Sequence, residues 1–120
     1  MAGVVHIPWY ATGLRADQLE HALLDVTATA LRYGATSWQL HRSRDDRYKL
    51  LQMIDFDSKA DFDRWWNGQE MIDFRVITSG WWQVPLLYVW HDRCGSGAVG
   101  NGNGHASVEP EAAPTPDVVA

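Results

Sequence analysis

A chain of 120 residues, 46% of them hydrophobic and 21% charged, has room for one domain with a real core and none for a second. Its formal net charge of −5 argues against a surface built to neutralise phosphates, and its single cysteine, Cys94, excludes an internal disulfide and a thiolate-rich metal site. No charged leader followed by an apolar stretch opens the chain and no apolar run is long enough to span a bilayer, so a soluble, cytoplasmic protein with no membrane partner is expected.

Val4 to Tyr10 reads as a first strand, with Pro8 marking a bulge or a strand end. Thr12-Gly13 breaks it. Asp17 followed by Glu20 has the spacing of a capping box, and Leu19, Ala22, Leu23, Val26 and Ala30 then recur at helical intervals. Gly34 is the expected left-handed stop. Ser37 to Arg42 and Tyr48 to Phe56 read as two strands around the charged turn Ser43-Arg44-Asp45-Asp46-Arg47. Ser58 is placed to cap a second helix that runs to Trp66 and stops at Asn67-Gly68, and a shorter helical stretch covers Glu70 to Ile77.

Gly80 to His91 is β-branched, aromatic and aliphatic throughout, which predicts one long last strand. One parity carries Trp82, Val84, Leu86, Tyr88 and Trp90; the other carries Trp81, Gln83, Pro85, Leu87, Val89 and His91. Both faces are largely apolar, so both require cover. The element order is β-α-β-β-α-β, the ferredoxin-like α+β arrangement, in which both helices pack on one sheet face and the last strand lies at an edge. A second copy is the simplest cover for the other face, so a homodimer with its sheets facing each other, a dimeric α+β barrel, is expected. From Gly95 the composition turns to glycine, proline and small residues, which predicts a domain over 1–94 and a disordered tail over 95–120. Glu109, Glu111 and Asp117 lie in that tail, leaving residues 1–93 at a net charge of −2.

Phe62-Asp63-Arg64-Trp65-Trp66-Asn67-Gly68, within a chain of this size and element order, resembles the antibiotic-biosynthesis-monooxygenase-type dimeric α+β barrel proteins. That superfamily includes cofactor-free oxygenases of aromatic polyketides, haem-degrading oxygenases, cyclases, isomerases and proteins of no known role, and the fold does not choose among them. An ungapped comparison puts Pro8 where the haem-degrading branch has an Asn and Phe74 where it has its iron-ligating His. Phe cannot ligate iron, so haem chemistry of that type is not expected. The resemblance implies a pocket between the helices and the sheet. It would be faced by His6, Pro8 and Tyr10 and walled by Trp65 and Phe74, with Val5, Ile7 and Trp9 turned toward the partner sheet.

Oxygenase chemistry without a cofactor needs a base, an oxyanion donor and walls that exclude water. His6 is the candidate base, Tyr10 or Arg75 the candidate anion holders, and Trp65 and Phe74 the candidate ligand-binding surfaces. The plainer alternative is a satisfied core histidine among tryptophans that simply pack. His6, His41 and His91 all fall on strands, but no metal-ligand spacing joins them, and neither a metal nor a cofactor is expected. Arg42, Arg44, Arg47 and Lys49 are interleaved with Asp45 and Asp46 and read as a solvated hairpin. The third strand lacks the aromatic pattern of an RNA-recognition domain, so no nucleic-acid partner is expected. Two functions remain open. One is a cofactor-independent, monooxygenase-like enzyme acting on a flat hydrophobic or aromatic small molecule. The other is a non-catalytic dimeric ligand-binding or interaction protein.

Overall fold

Alternation in the first strand decides which side of the sheet becomes the core. In this computed structural model, which describes residues 2–100, β1 (Gly3–Tyr10) buries Val5, Ile7 and Trp9 almost completely and leaves His6, Pro8 and Tyr10 at least partly exposed. Burying each large apolar side chain is worth roughly 1.5–3 kcal/mol, so this parity goes under the helices. The strands run in the order β2-β3-β1-β4, with β2 spanning Ala35–Arg42, β3 Lys49–Phe56 and β4 Val89–His91, and every neighbouring pair is antiparallel. With α1 (Ala16–Ala28), α2 (Lys59–Trp66) and α3 (Gln69–Ile77), this is the ferredoxin-like α+β fold.

Pro8 makes no bulge, and it sits in regular register opposite Leu51 of β3. It is tolerated because β4 reaches only Val4 to His6, so the other side of β1 has no ladder to complete at Pro8. Gly3 has a different reason. A Cβ there would lie 2.8 Å from the Trp90 ring and from the His91 carbonyl, so glycine lets β4 close on the start of β1.

The helix ends follow local chemistry. A 3₁₀ turn at Thr29–Tyr33 extends α1, and Gly34 terminates it at φ 101°, as expected. The Ser58 hydroxyl accepts from the Asp61 amide at 3.1 Å and caps α2. The expected capping box at Asp17 and Glu20 does not form, because both carboxylates are drawn to Arg42 Nη1, at 2.7 and 2.9 Å. Arg42 also donates to the Arg47 carbonyl, so it ties the β2–β3 hairpin to α1 instead of standing in solvent.

Between sheet and helices the core is mostly apolar, with one polar thread through it. Trp9 Nε1 donates to Gln52 Oε1 at 3.0 Å, Gln52 Nε2 donates to Thr27 Oγ1 at 2.6 Å, and Thr27 Oγ1 donates to the Leu23 carbonyl at 2.5 Å. Gln52 and Thr27 have no exposed surface, so the thread is a desolvated network in which each member finds a partner.

The last strand departs from expectation. Only Val89–His91 forms a β-ladder, and the stretch before it pairs with the chain just beyond β1 at an isolated bridge between Ala11 and Trp82. Strand-like composition loses here to anchoring by single side chains. Trp82 packs edge-on against Trp9 at 5.2 Å and donates to Thr78 Oγ1, while Tyr88 packs on Phe62 at 4.8 Å and on Trp66 at 5.4 Å. Between these anchors Val84 is 75% and Leu87 67% exposed, so the two apolar faces expected of this stretch are not both covered within the chain. Of the predicted tail, residues 95–100 have no regular secondary structure, and 101–120 lie outside the described residues. No helix among the described residues is long and apolar enough to cross a membrane.

Candidate functional site

The structure separates the five residues expected at one pocket. Trp65 is fully buried and donates Nε1 to Thr29 Oγ1 at 3.0 Å, and Phe74 is buried edge-on to Trp9 at 5.5 Å. Both are core residues on the helix side. His6 and Tyr10 lie on the opposite, open face, because Val5, Ile7 and Trp9 hold the helix side of β1. The expected orientation of β1 is therefore reversed, and no pocket unites His6 and Tyr10 with Trp65 and Phe74. Arg75 is on the helix side as well. Its guanidinium lies over the Trp66 ring, 5.1 Å from the centroid, and donates to the Trp66 carbonyl at 3.0 Å. Its buried Nη1 has no hydrogen-bond partner among the described residues, and burial lowers its pKa.

The hollows that can accept a molecule lie on the open sheet face. One, of about 610 Å³, is lined by Pro8, Tyr10 and Leu51 in its floor and by His41, Ser43 and Lys49 toward the hairpin. The other, of about 540 Å³, lies toward the β1–β4 edge, among Val4, His6, Gln39, Met53, His91 and Arg93. Volumes of this size match small-molecule sites. Four residues of extended chain, roughly 13 Å, separate His6 from Tyr10, so one small molecule does not use both at once.

Their chemistry differs. The Tyr10 hydroxyl donates to Asp46 Oδ2 at 3.0 Å, and that bond, with the Asp46 charge, raises its pKa. Its proton is thus already committed to a carboxylate. His6 is partly desolvated and faces His91, and both effects lower its pKa, so its imidazole is neutral at physiological pH. His6 and His91 come together on adjacent strands with ring centroids 4.2 Å apart, whereas His41 lies away on β2, as the strand order implies. Among the described residues, no three His, Cys, Asp or Glu side chains gather in a way that could hold a metal ion. Strand order leaves His6 and His91 on neighbouring strands, and the contact itself follows from the register Val4↔His91 and His6↔Val89.

The fold defines the class of protein to which this chain is similar. No family model matches the sequence, and no curated protein matches it at a significant level. Solved structures do match. A protein named antibiotic biosynthesis monooxygenase superposes with a TM-score of 0.66 at 10% identity, covering 77% of this chain and 97% of that one. PA3566 from Pseudomonas aeruginosa gives 0.67 at 19% identity, over 78% and 95% of the two chains, and Rv0793 from Mycobacterium tuberculosis gives 0.66 at 14%, over 75% and 92%. Identities this low establish a shared fold and leave function to the residues of this chain.

Proposed function

We propose that the protein is a homodimer that binds a flat, hydrophobic small molecule on its open sheet face. The observation that carries the reading is the hollow of about 610 Å³ floored by Pro8, Tyr10 and Leu51, on a face that no helix covers. Half-buried Leu51 and Met53 and half-exposed Val89 give that face an apolar middle, and a second sheet laid on it would turn an open hollow into an enclosed one. Tyr10, which lines it, supplies aromatic surface to the hollow.

Catalysis is the second reading, favoured by the name of the antibiotic biosynthesis monooxygenase neighbour and by the neutral imidazole of His6 on the same face. In that reading the substrate reaches the hollow of about 540 Å³ that His6 lines, His6 takes a proton from a phenol or enol, and the electron-rich anion reacts with O2 in a site closed to water. Tyr10 is less suited to hold the anion, because its O–H already points to Asp46. Arg75, on the other side of the sheet, serves packing on Trp66 in both readings.

The test is a panel of planar polyphenols, with binding measured by calorimetry and oxygen uptake followed in parallel. Saturable binding that Leu51→Glu abolishes, without loss of the circular dichroism spectrum, supports the binding reading. Oxygen uptake that His6→Asn abolishes while binding persists supports catalysis. A monomer in sedimentation at low micromolar concentration that binds no member of the panel refutes both.

A further inference from the structure

His6 and His91 project from neighbouring antiparallel strands onto the open face, and their rings meet at a centroid separation of 4.2 Å and an interplanar angle of 49°. His21 bonds the Asp17 carbonyl and His41 bonds Gln39, but neither His6 nor His91 has a hydrogen-bond partner among the described residues. Met53 stands directly opposite His6 in the β1–β3 register, on the same face, and lines the same hollow as both histidines. Directly paired strand residues have Cβ atoms about 4.5–5.5 Å apart, so the thioether is within reach of the pair.

We infer that His6, His91 and Met53 form a copper-binding site at the β1–β4 edge of the open face. Two imidazoles on one ion, each nitrogen about 2.0 Å away, place their ring centroids roughly 4.5 Å apart at a right angle and roughly 5.1 Å apart at a tetrahedral one. The observed 4.2 Å brings the two rings to within a few tenths of an ångström of that spacing. A thioether adds a soft donor that selects for Cu(I) over the harder divalent ions. Asp55 shares the hollow but is paired with Arg93, so it is not a free donor there.

The experiment uses the full chain, with copper(II) sulfate and, anaerobically, copper(I), each competed against a chromogenic chelator. One Cu(II) per chain is expected, with an electron paramagnetic resonance spectrum carrying the splitting of two nitrogen ligands. His6→Asn and His91→Asn should each weaken binding about tenfold or more, and the double variant should abolish it, whereas His21→Asn should change nothing. Met53→Leu should lower Cu(I) affinity about tenfold and Cu(II) affinity less. Circular dichroism checks that each variant folds. Equal Cu(II) binding by the wild type and the His6→Asn/His91→Asn variant would overturn the site, as would unchanged Cu(I) affinity in Met53→Leu. The copper titration is independent of the polyphenol panel, so either result stands if the other fails.

Discussion

Gln52→Leu isolates the cost of cutting the polar thread beneath the helices. The substitution keeps the side chain close in size but removes two hydrogen bonds, and it leaves the buried Trp9 N–H with no acceptor. An orphaned buried donor costs about 1–3 kcal/mol. Thr27 loses less, because its hydroxyl still donates to the Leu23 carbonyl. A net loss of about 2 kcal/mol is expected, equivalent to a fall in Tm of roughly 8–16 °C for a domain near 100 residues. Thr27→Val should cost about 1–2 kcal/mol by orphaning Gln52 Nε2. Combining the two should cost less than their sum by about 1 kcal/mol, because the Gln52–Thr27 bond can be lost only once. Thermal and urea melts of the four proteins, followed by circular dichroism, measure the cycle. A Gln52→Leu protein as stable as the wild type, or strictly additive losses, would show that the thread does not act as a unit.

Gly34→Ala should destabilise by about 2 kcal/mol or more, read in the same melts, because a side chain at φ 101° is strained and its Cβ would collide with the Asp61 carboxylate. Arg75→Met keeps the packing stem and removes the buried unpartnered Nη1, so its stability should stay within about 1 kcal/mol of the wild type or rise. Leu51→Glu should convert a dimer to a monomer in analytical ultracentrifugation with its fold retained, since it places a charge at the apolar centre of the open face. The depressed pKa of His6 means that the unfolded chain binds more protons than the folded one as pH falls toward and below about 6.5. Stability should therefore rise with pH through that window, and Tm should fall more between pH 7.5 and 5.5 in the wild type than in His6→Asn.

The element order was legible because each element carries its own local signal. Gly34 stops α1, Ser58 caps α2, and Val5, Ile7 and Trp9 alternate with more polar neighbours. That last alternation could have identified the core side of β1, but the family resemblance placed His6, Pro8 and Tyr10 there and turned Val5, Ile7 and Trp9 to the partner sheet; burial of the apolar parity prevails. Composition over Gly80–His91 was misleading for another reason. Strand propensity reports a fit to a pleated, half-buried surface, and Trp82 and Tyr88 find better surfaces against Trp9 and Phe62 than a fourth full-length ladder would offer. The charges of Asp17 and Glu20 matched a capping box in spacing alone, and Arg42, 22 residues beyond Glu20, took them both. The site was least legible. Which histidines meet depends on register, and no local pattern records it.

The path from Trp82 to Tyr88 is fastened at its two ends and touches the core at Leu86, while Val84 and Leu87 face solvent. A segment held in this way is separable from the structure that holds it. Changes at Val84 or Leu87 meet solvent first, so neither the polar thread nor the ladder of β4 constrains them. The span can therefore change in length and side chains while the sheet and its open face keep their geometry.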